Sequence, residues 1–327
     1  MGVREAAAGP AAFHAAPNLV RVRCPRGAEG RIFLIGSTFG TEFYSYFRTL
    51  PYQGMLLLYI CTALGRATGG SMSRLLQYPD QQGEETAAAL NRRLAETATL
   101  EARLGELLRT VHGRVAFSTS LGLEDQAILH AASQAAPGID IFTLDTGRLF
   151  PETVETLDRS ENRYSLRIRI VAPDAQDVEA LVARDGVFGF RLSVEARKAC
   201  CDVRKVRPLR RALAGAVAWI TGLRRGQAAG RTTVAFAAWD AEHSLIKINP
   251  IADWTLERLE AYTAANDVPV NPLHAQGFAS IGCQPCTRAL KPGEDLRAGR
   301  WWWEQEDGKE CGLHNNPRRP AAREAAA

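Results

Sequence analysis

Seven cysteines occur among the 327 residues, and five of them stand where chemistry could use them. Cys200 and Cys201 are neighbours, and Cys283 and Cys286 bracket Gln284-Pro285 in a CxxC turn. Adjacent cysteines resist pairing with each other, because a disulfide between them strains the backbone. A CxxC turn can aim two thiolates at one metal. Four thiolates drawn from two distant segments suit a tetrahedral zinc or a four-iron cluster. Zinc sites usually take both halves from CxxC-like turns, so the adjacent pair favours iron–sulfur. The plainer alternative is four buried cysteines acting as small hydrophobes.

Lys205 follows Cys201 by one helical turn, which on a regular helix would set its ammonium over the same face. A cation there would offset the negative charge of a thiolate-held cluster and tune its electronics. Pro208 predicts that this helix kinks or ends early. Cys311 lies near the C-terminal end within Lys309-Glu310-Cys311-Gly312-Leu313-His314. Nearby cations enrich the thiolate, so a solitary cysteine on a mobile tail suits covalent catalysis. An incidental surface thiol is the competing reading. Cys24 and Cys61 receive no role.

Positioning these groups requires a scaffold, and hydrophobic periodicity indicates which. Residues 86–108 carry Leu90, Leu94, Leu100, Leu104 and Leu107 between charges, predicting one amphipathic helix. Val115-Ala116-Phe117 reads as a buried strand, followed by a loop over 118–122 and a helix over 124–135 that Pro137-Gly138 stops. Residues 139–144 form a second strand, and Pro151 opens the next helix from the favoured first-turn position. Leu166, Ile168 and Ile170 alternate as a strand, and 216–221 is a further apolar run. Strands alternating with helices predict an α/β fold with a doubly wound, mostly parallel sheet. Ligands in such sheets bind at loops leaving the carboxyl ends of strands, here at Ser118, Asp145 and Gly222.

Composition narrows the class further. A 46% hydrophobic content is enough for a sizeable core, and a net charge of +4 is too small to argue for nucleic acid. Basic residues cluster at 197–207 and at Arg224-Arg225, as a solvated face or an anion site. An odd cysteine count with unequal spacing speaks against a secreted disulfide scaffold and for a reducing compartment. The apolar stretch 55–64 is too short to span a bilayer, so the cytoplasm is expected, with no membrane partner. Residues 1–71 are low in complexity or apolar without sustained period, and are expected to be an extension without a fold of its own, Met72 marking the natural start; a small packed N-terminal subdomain is the alternative. Residues 72–296 would be the α/β domain with the metal site, and 297–327 the segment carrying Cys311.

From Met72 to Asn315 the chain resembles the assimilatory, thioredoxin-dependent adenylyl-sulfate reductases of the sulfonucleotide reductase family. The segments carrying the resemblance are Ser118-Thr119-Ser120-Leu121-Gly122-Leu123-Glu124-Asp125, Leu144-Asp145-Thr146-Gly147, Phe150-Pro151-Glu152-Thr153 and Lys198-Ala199-Cys200-Cys201 with Lys205. Thr221-Gly222-Leu223-Arg224-Arg225-Gly226-Gln227, Gly282-Cys283-Gln284-Pro285-Cys286 and Glu310-Cys311-Gly312-Leu313-His314 complete the set in the expected order.

The resemblance implies an adenine nucleotide alpha hydrolase fold, akin to the ATP pyrophosphatases. It implies one [4Fe-4S] cluster on Cys200, Cys201, Cys283 and Cys286, with Cys311 as nucleophile. Ser118 and Ser120 would contact the nucleotide, Leu144 and Gly222 would lie around the adenosine, and Arg231 would bind the α-phosphate. Lys205, Arg297, Arg300 and His314 would surround the phosphosulfate, where guanidinium donor pairs match its oxygens. The implied reaction takes adenylyl sulfate to sulfite and AMP through a Cys311 S-sulfonate, with thioredoxin as transient partner; a homo-oligomer is compatible with the family.

Three rival readings remain at this level. The first is reduction of 3′-phosphoadenylyl sulfate, alone or in addition; the paired cysteine motifs generally accompany the unphosphorylated nucleotide. The second is a non-catalytic metal-binding module, which leaves Glu310–His314 unexplained. The third is a thiouridylase-like enzyme, opposed by Glu124-Asp125 where a pyrophosphate-gripping loop would end in serine.

Overall fold

The computed structural model describes residues 80–227 and 231–304 with Tyr78 and Leu313, and the backbone of four short strands nearer the N-terminus. The chain divides into two units, Met1–Ser71 and Met72–Ala327. In the first, β1 (Val20–Arg23) pairs antiparallel with β2 (Glu29–Ile32), and β3 (Leu50–Tyr52) with β4 (Met55–Leu57).

The second unit is built on six strands in the order β7-β6-β5-β8-β10-β9. Here β5 is Val115–Thr119, β6 Asp140–Leu144, β7 Arg169–Val171, β8 Ala218–Ile220, β9 Ala237–Asp240 and β10 Leu245–Ile248. All neighbours run parallel except β9, which returns antiparallel along β10. The doubly wound, mostly parallel α/β sheet expected from the alternating periodicity is therefore present.

Alternation along the strands buries both faces. Val115, Phe117, Ile220, Ile246 and Ile248 face one core, which is closed by α1 (Asp80–Glu96), α2 (Leu100–Thr110), α3 (Leu123–Ala135) and α8 (Leu256–Ala265). Ala116, Phe142, Trp219 and Leu245 face the other, beneath Leu209, Ala212 and Leu213 of α7 (Arg207–Leu213). Between them in sequence lie α4 (Pro151–Tyr164), α5 (Ala175–Asp185) and α6 (Val194–Cys201).

Three expectations shift in detail. The single helix over 86–108 is two helices, because Leu94 and Leu100 do not fall on one face of a continuous helix and the Thr99 hydroxyl caps α2 by accepting from Ala102 N at 3.2 Å. The gap is locked by Arg103, which is buried and donates to Thr97 O, Pro250 O and both carboxylate oxygens of Asp253. The strand at Leu166–Ile170 narrows to Arg169–Val171, with Ile170 on the exposed face of a sheet-edge strand. Pro208 ends nothing: the helix runs on through a wide π turn at Asp202–Val206, where Arg207 N donates to Asp202 O. Proline cannot donate and crowds the preceding turn, and a π turn relieves both.

Candidate active site and metal centre

Ser118 and Ser120 leave the carboxyl end of β5. Trp219 Nε1 donates to Ser118 Oγ at 2.7 Å, fixing that hydroxyl from the next strand. Leu121 takes a left-handed φ of 60°, and its N–H donates to Thr119 Oγ1 at 3.0 Å. The tight turn brings Ser120 back onto the first turn of α3, where Asp125 Oδ2 accepts its N–H and its hydroxyl, each at 2.6 Å. A phosphate-gripping loop would offer those donors to its ligand. Here a carboxylate occupies them, as the Glu124-Asp125 departure suggested. Burial pushes Asp125 up to about 6, against the lowering pull of the Ser120 hydrogen bonds.

The turn after β8 closes on the same helix end. A Cβ on Gly222 would lie 2.3 Å from Asp125 Oδ1 and 3.0 Å from Glu124 Cβ, so only glycine fits. Buried Arg224 donates through Nε to Glu124 Oε1 at 2.8 Å. Gln227 Nε2 donates to Gly222 O at 3.0 Å, while its Oε1 accepts from Arg231 Nη1 at 2.5 Å. Arg231 is thus tied to the turn after β8 through Gln227, a link no motif announced.

The cysteines converge from two directions. Cys200 and Cys201 end α6, and Cys283 and Cys286 come from the loop after α8; all four line one small cavity with Phe190, Trp301 and five cations, Arg148, Arg197, Arg204, Lys205 and Arg300. Gln284 N donates to Arg148 O at 2.8 Å, which clips the CxxC turn to the loop leaving β6. In that loop Gly147 adopts a φ of 68° and Thr146 O accepts from buried Arg204 at 2.7 Å. Burial would raise the Cys283 thiol, yet Lys205, the Thr146 hydroxyl at 3.3 Å, Arg300 and Arg148 together hold it below its ordinary value. Burial pushes Cys286 up to about 11 and also raises Cys200. Among the described residues no three cysteine, histidine or carboxylate side chains close on a single ion. The Nε donors of Arg204 and Arg300 beside the cavity are buried without a partner, which fits an anionic group held between the thiols.

A larger cleft opens at the carboxyl ends of β5, β6 and β8. It is lined by Ser118, Ser120, Leu144, Gly222 and Arg231 at one end, and by Lys205, Cys283, Arg297 and Arg300 at the other. Lys205 and Arg300 line both this cleft and the cysteine cavity. Arg300 stacks on Trp301 at 4.7 Å and lies where a Cβ on Gly282 would be 2.3 Å from its guanidinium. Arg297 and Arg300, equivocal as sequence, therefore reach the cleft with the other expected contacts. Leu313, like Leu144, packs against the core beneath α7 and lines the same cleft. Cys311 and His314 lie outside the described residues.

Sequence reasoning overlooked His274. It lines the cleft, its Nδ1 is bonded to Phe278 O at 2.8 Å, its Nε2 is buried without a partner, and burial lowers its pKa. No helical or strand period surrounds it, so nothing in the pattern singled it out.

Comparison with known proteins agrees with this geometry. Residues 114–289 match the phosphoadenosine phosphosulfate reductase domain. An adenosine 5′-phosphosulfate reductase of Agrobacterium fabrum is 53% identical over 228 residues, 67% of this chain and 88% of that protein. One from Burkholderia cepacia is 50% identical over 232 residues, 70% of this chain and 92% of that protein. The crystal structure of a phosphoadenylyl-sulfate reductase from Candida auris, solved with phosphate, superposes with a TM-score of 0.53 at 25% identity, covering 64% of this chain and 98% of that one. The chain belongs to the phosphoadenosine phosphosulfate reductase family.

Proposed function

We propose that this chain reduces adenosine 5′-phosphosulfate to sulfite and AMP in sulfate assimilation, with Cys311 as nucleophile and thioredoxin as reductant. The observation that carries the reading is one cleft with two chemically distinct ends. Ser118, Ser120, Leu144 and Gly222, with Arg231 beside them, offer hydroxyl, backbone and apolar groups at an end suited to adenosine, and Lys205, Arg297 and Arg300 form a cationic end suited to phosphosulfate. Relatives bearing that enzyme name at about 50% identity support the substrate.

The Cys311 thiolate attacks the sulfuryl sulfur, the S–O bond to AMP breaks, and AMP leaves as the phosphate. Cations at the leaving group stabilise the developing charge. The first thiolate of thioredoxin then attacks the Cys311 sulfur and expels sulfite with the bonding pair. Its second thiol resolves the mixed disulfide, so thioredoxin is oxidised to its disulfide and Cys311 returns as the thiolate. Leu313, two residues beyond Cys311, lines the cleft, which supports delivery of the motif to that end.

Cys200, Cys201, Cys283 and Cys286 would hold a [4Fe-4S] cluster, which supplies fixed negative charge and architecture beside the sulfur-transfer end. Lys205, shared by cavity and cleft, couples the two electrostatically. The compartment is the cytoplasm on this reading; no helix among the described residues is long and apolar enough to cross a membrane. Residues 1–71 stand apart from the reaction as an extension of the catalytic unit.

The test is sulfite release from adenosine 5′-phosphosulfate by anaerobically prepared protein with thioredoxin, alongside iron content and visible absorbance. Thioredoxin-dependent sulfite from a brown protein with about four irons is expected. Activity confined to the 3′-phosphorylated nucleotide, which the family's name and the Candida auris relative bring into view, would keep the chemistry and change the substrate. A colourless, inactive protein would defeat the proposal.

A further inference from the structure

Beside the cysteine cavity the surface is apolar. Phe188 is 61% exposed, Leu192 77% and Trp302 45%, with Val187 also exposed next to Phe188. Phe188, Trp302 and the neighbouring Trp303 surround one guanidinium: Arg191 lies 5.5 Å from the ring centre of Phe188, 5.9 Å from Trp302 and 5.4 Å from Trp303, with Val187 and Leu192 next to Phe188 and Arg191 in sequence. The short turn Gly189–Arg191 sends Phe190 inward against the cysteines and leaves Phe188 and Leu192 outside. The patch is fastened to both loops that build the cavity. Arg191 donates to Pro285 O at 3.3 Å, within the CxxC turn, and Arg148 donates to Val187 O at 2.6 Å.

Its position relative to the catalytic segment matters as much as its composition. Trp302 and Trp303 lead into Glu304, which is anchored by a paired contact to buried Arg197 at 2.8 and 2.9 Å. Cys311 lies in sequence between that anchor and Leu313, which lines the cleft. Between Glu304 and Ala327 the one large aliphatic side chain is Leu313, and it is already packed against the core that includes Leu209 and Trp219. The rest is charged, polar, Gly, Pro or Ala, with Cys311 itself. Residues 305–327 therefore offer little with which to cover aromatic surface.

We infer that the patch formed by Val187, Phe188, Leu192 and Trp302 around Arg191 is the docking surface for the dithiol protein that discharges Cys311. The inference rests on the function proposed above. Thiol exchange requires the attacking sulfur to reach the Cys311 sulfur, so the partner must seat close to the root of the segment bearing it. Exposed aromatic groups around an arginine are the composition of an interface core. A patch of so few residues fits the small end of interface sizes, as expected of a partner that must leave after each turnover.

The experiment compares reductants in wild type and Phe188→Ser/Leu192→Ser. Sulfite release is driven either by thioredoxin or by dithiothreitol, which needs no docking surface. We expect kcat/KM for thioredoxin to fall tenfold or more, with the dithiothreitol-driven rate and AMP affinity unchanged. Unchanged thioredoxin kinetics would overturn the assignment, and a change of mass in solution accompanying them would show a contact between copies instead. Equal loss with both reductants would also overturn it, since the patch would then serve the site itself. Should the double variant fail to fold by circular dichroism, Leu192→Ser alone carries the comparison. Wild-type protein that turns over with dithiothreitol and never with thioredoxin would remove the underlying reading before any variant is made.

Discussion

The Asp125 side chain on α3 and Gly222 in the turn after β8 meet at one end of the cleft, close enough that only glycine fits there. The Asp125 carboxylate holds the Ser120 N–H and hydroxyl at 2.6 Å, and its other oxygen occupies the space a side chain on Gly222 would need. The loop after β5 and the turn after β8 are therefore set by one buried carboxylate. A loop that grips pyrophosphate needs such donors open; here they are spent on the protein.

Replacing Gly222 with alanine should disrupt both loops. A Cβ 2.3 Å from Asp125 Oδ1 cannot be accommodated without moving the carboxylate off Ser120. A cost of about 1–3 kcal/mol in stability is expected. Nucleotide affinity should fall at least tenfold, read by calorimetric titration with AMP. Native affinity in the variant would separate Gly222 from the adenosine end.

Asp125 makes a pH-dependent contribution with a definite sign. Its folded value, about 6, lies above the ordinary carboxylate value of 3.8, so the folded state binds this proton more tightly than the unfolded chain. The group thus lowers stability as pH rises from about 4 to 6, by on the order of 2–3 kcal/mol at most, and the penalty is constant above that. Asp125→Asn keeps an oxygen to accept from Ser120 and removes the charge. Urea denaturation at pH 5 and pH 7 should show the variant gaining on wild type at the higher pH; parallel profiles would contradict the assignment.

Arg103 and Asp253 illustrate the opposite case away from the cleft. Burial acts to raise the Asp253 carboxyl, but the hydrogen bonds and charge of Arg103 more than reverse it and hold it below the usual range. Stability from this pair is present above the ordinary carboxylate pKa and is lost as pH falls through the lowered folded value. Asp253→Ala leaves the Arg103 guanidinium buried over Phe236 without its carboxylate and should cost about 3 kcal/mol near neutrality. That difference should shrink below about pH 4, as measured by denaturation at several pH values.

Cysteine replacements should divide into two classes. Cys283→Ser or Cys200→Ser should lose iron and visible absorbance together with activity, because each removes a thiolate from the shared cavity. Cys311→Ser should abolish sulfite formation while AMP binding, iron content and colour persist. Turnover by the Cys311 variant would take that residue out of its role.

Much of this arrangement was legible in the sequence because it is periodic or punctuated. Apolar runs near Ala116, Phe142 and Trp219 mark strands buried on both faces and put loops at Ser118, Asp145 and Gly222 on their carboxyl ends; Ser118 and Gly222 line one cleft there, and beside Asp145 it is Leu144 that does so. Pairing Cys200-Cys201 with Cys283 and Cys286 needs only that four thiols find a common use. What escaped the sequence depends on packing at a distance. β9 and β10 are short and pair with each other at the sheet edge, and His274 sits in an irregular segment with no period to mark it. The bond from Gln227 to Arg231 is a matter of loop geometry that residue types alone do not encode.

The wide turn at Asp202–Val206 has a consequence for how this region can vary in length. A π turn holds one residue more than a regular helix would, and each residue of helix rotates what precedes it by about 100°. Deleting a single residue there would leave a regular helix, with Cys200 and Cys201 before it and Leu209 after it in nearly the register they now have. Deleting or inserting a residue in the regular turns on either side would instead swing Cys200 and Cys201 by about 100° away from Cys283 and Cys286. The wide turn is therefore the place where this segment can lose a residue, and outside it cysteine convergence is inherited through a residue count as strictly as through the cysteines themselves.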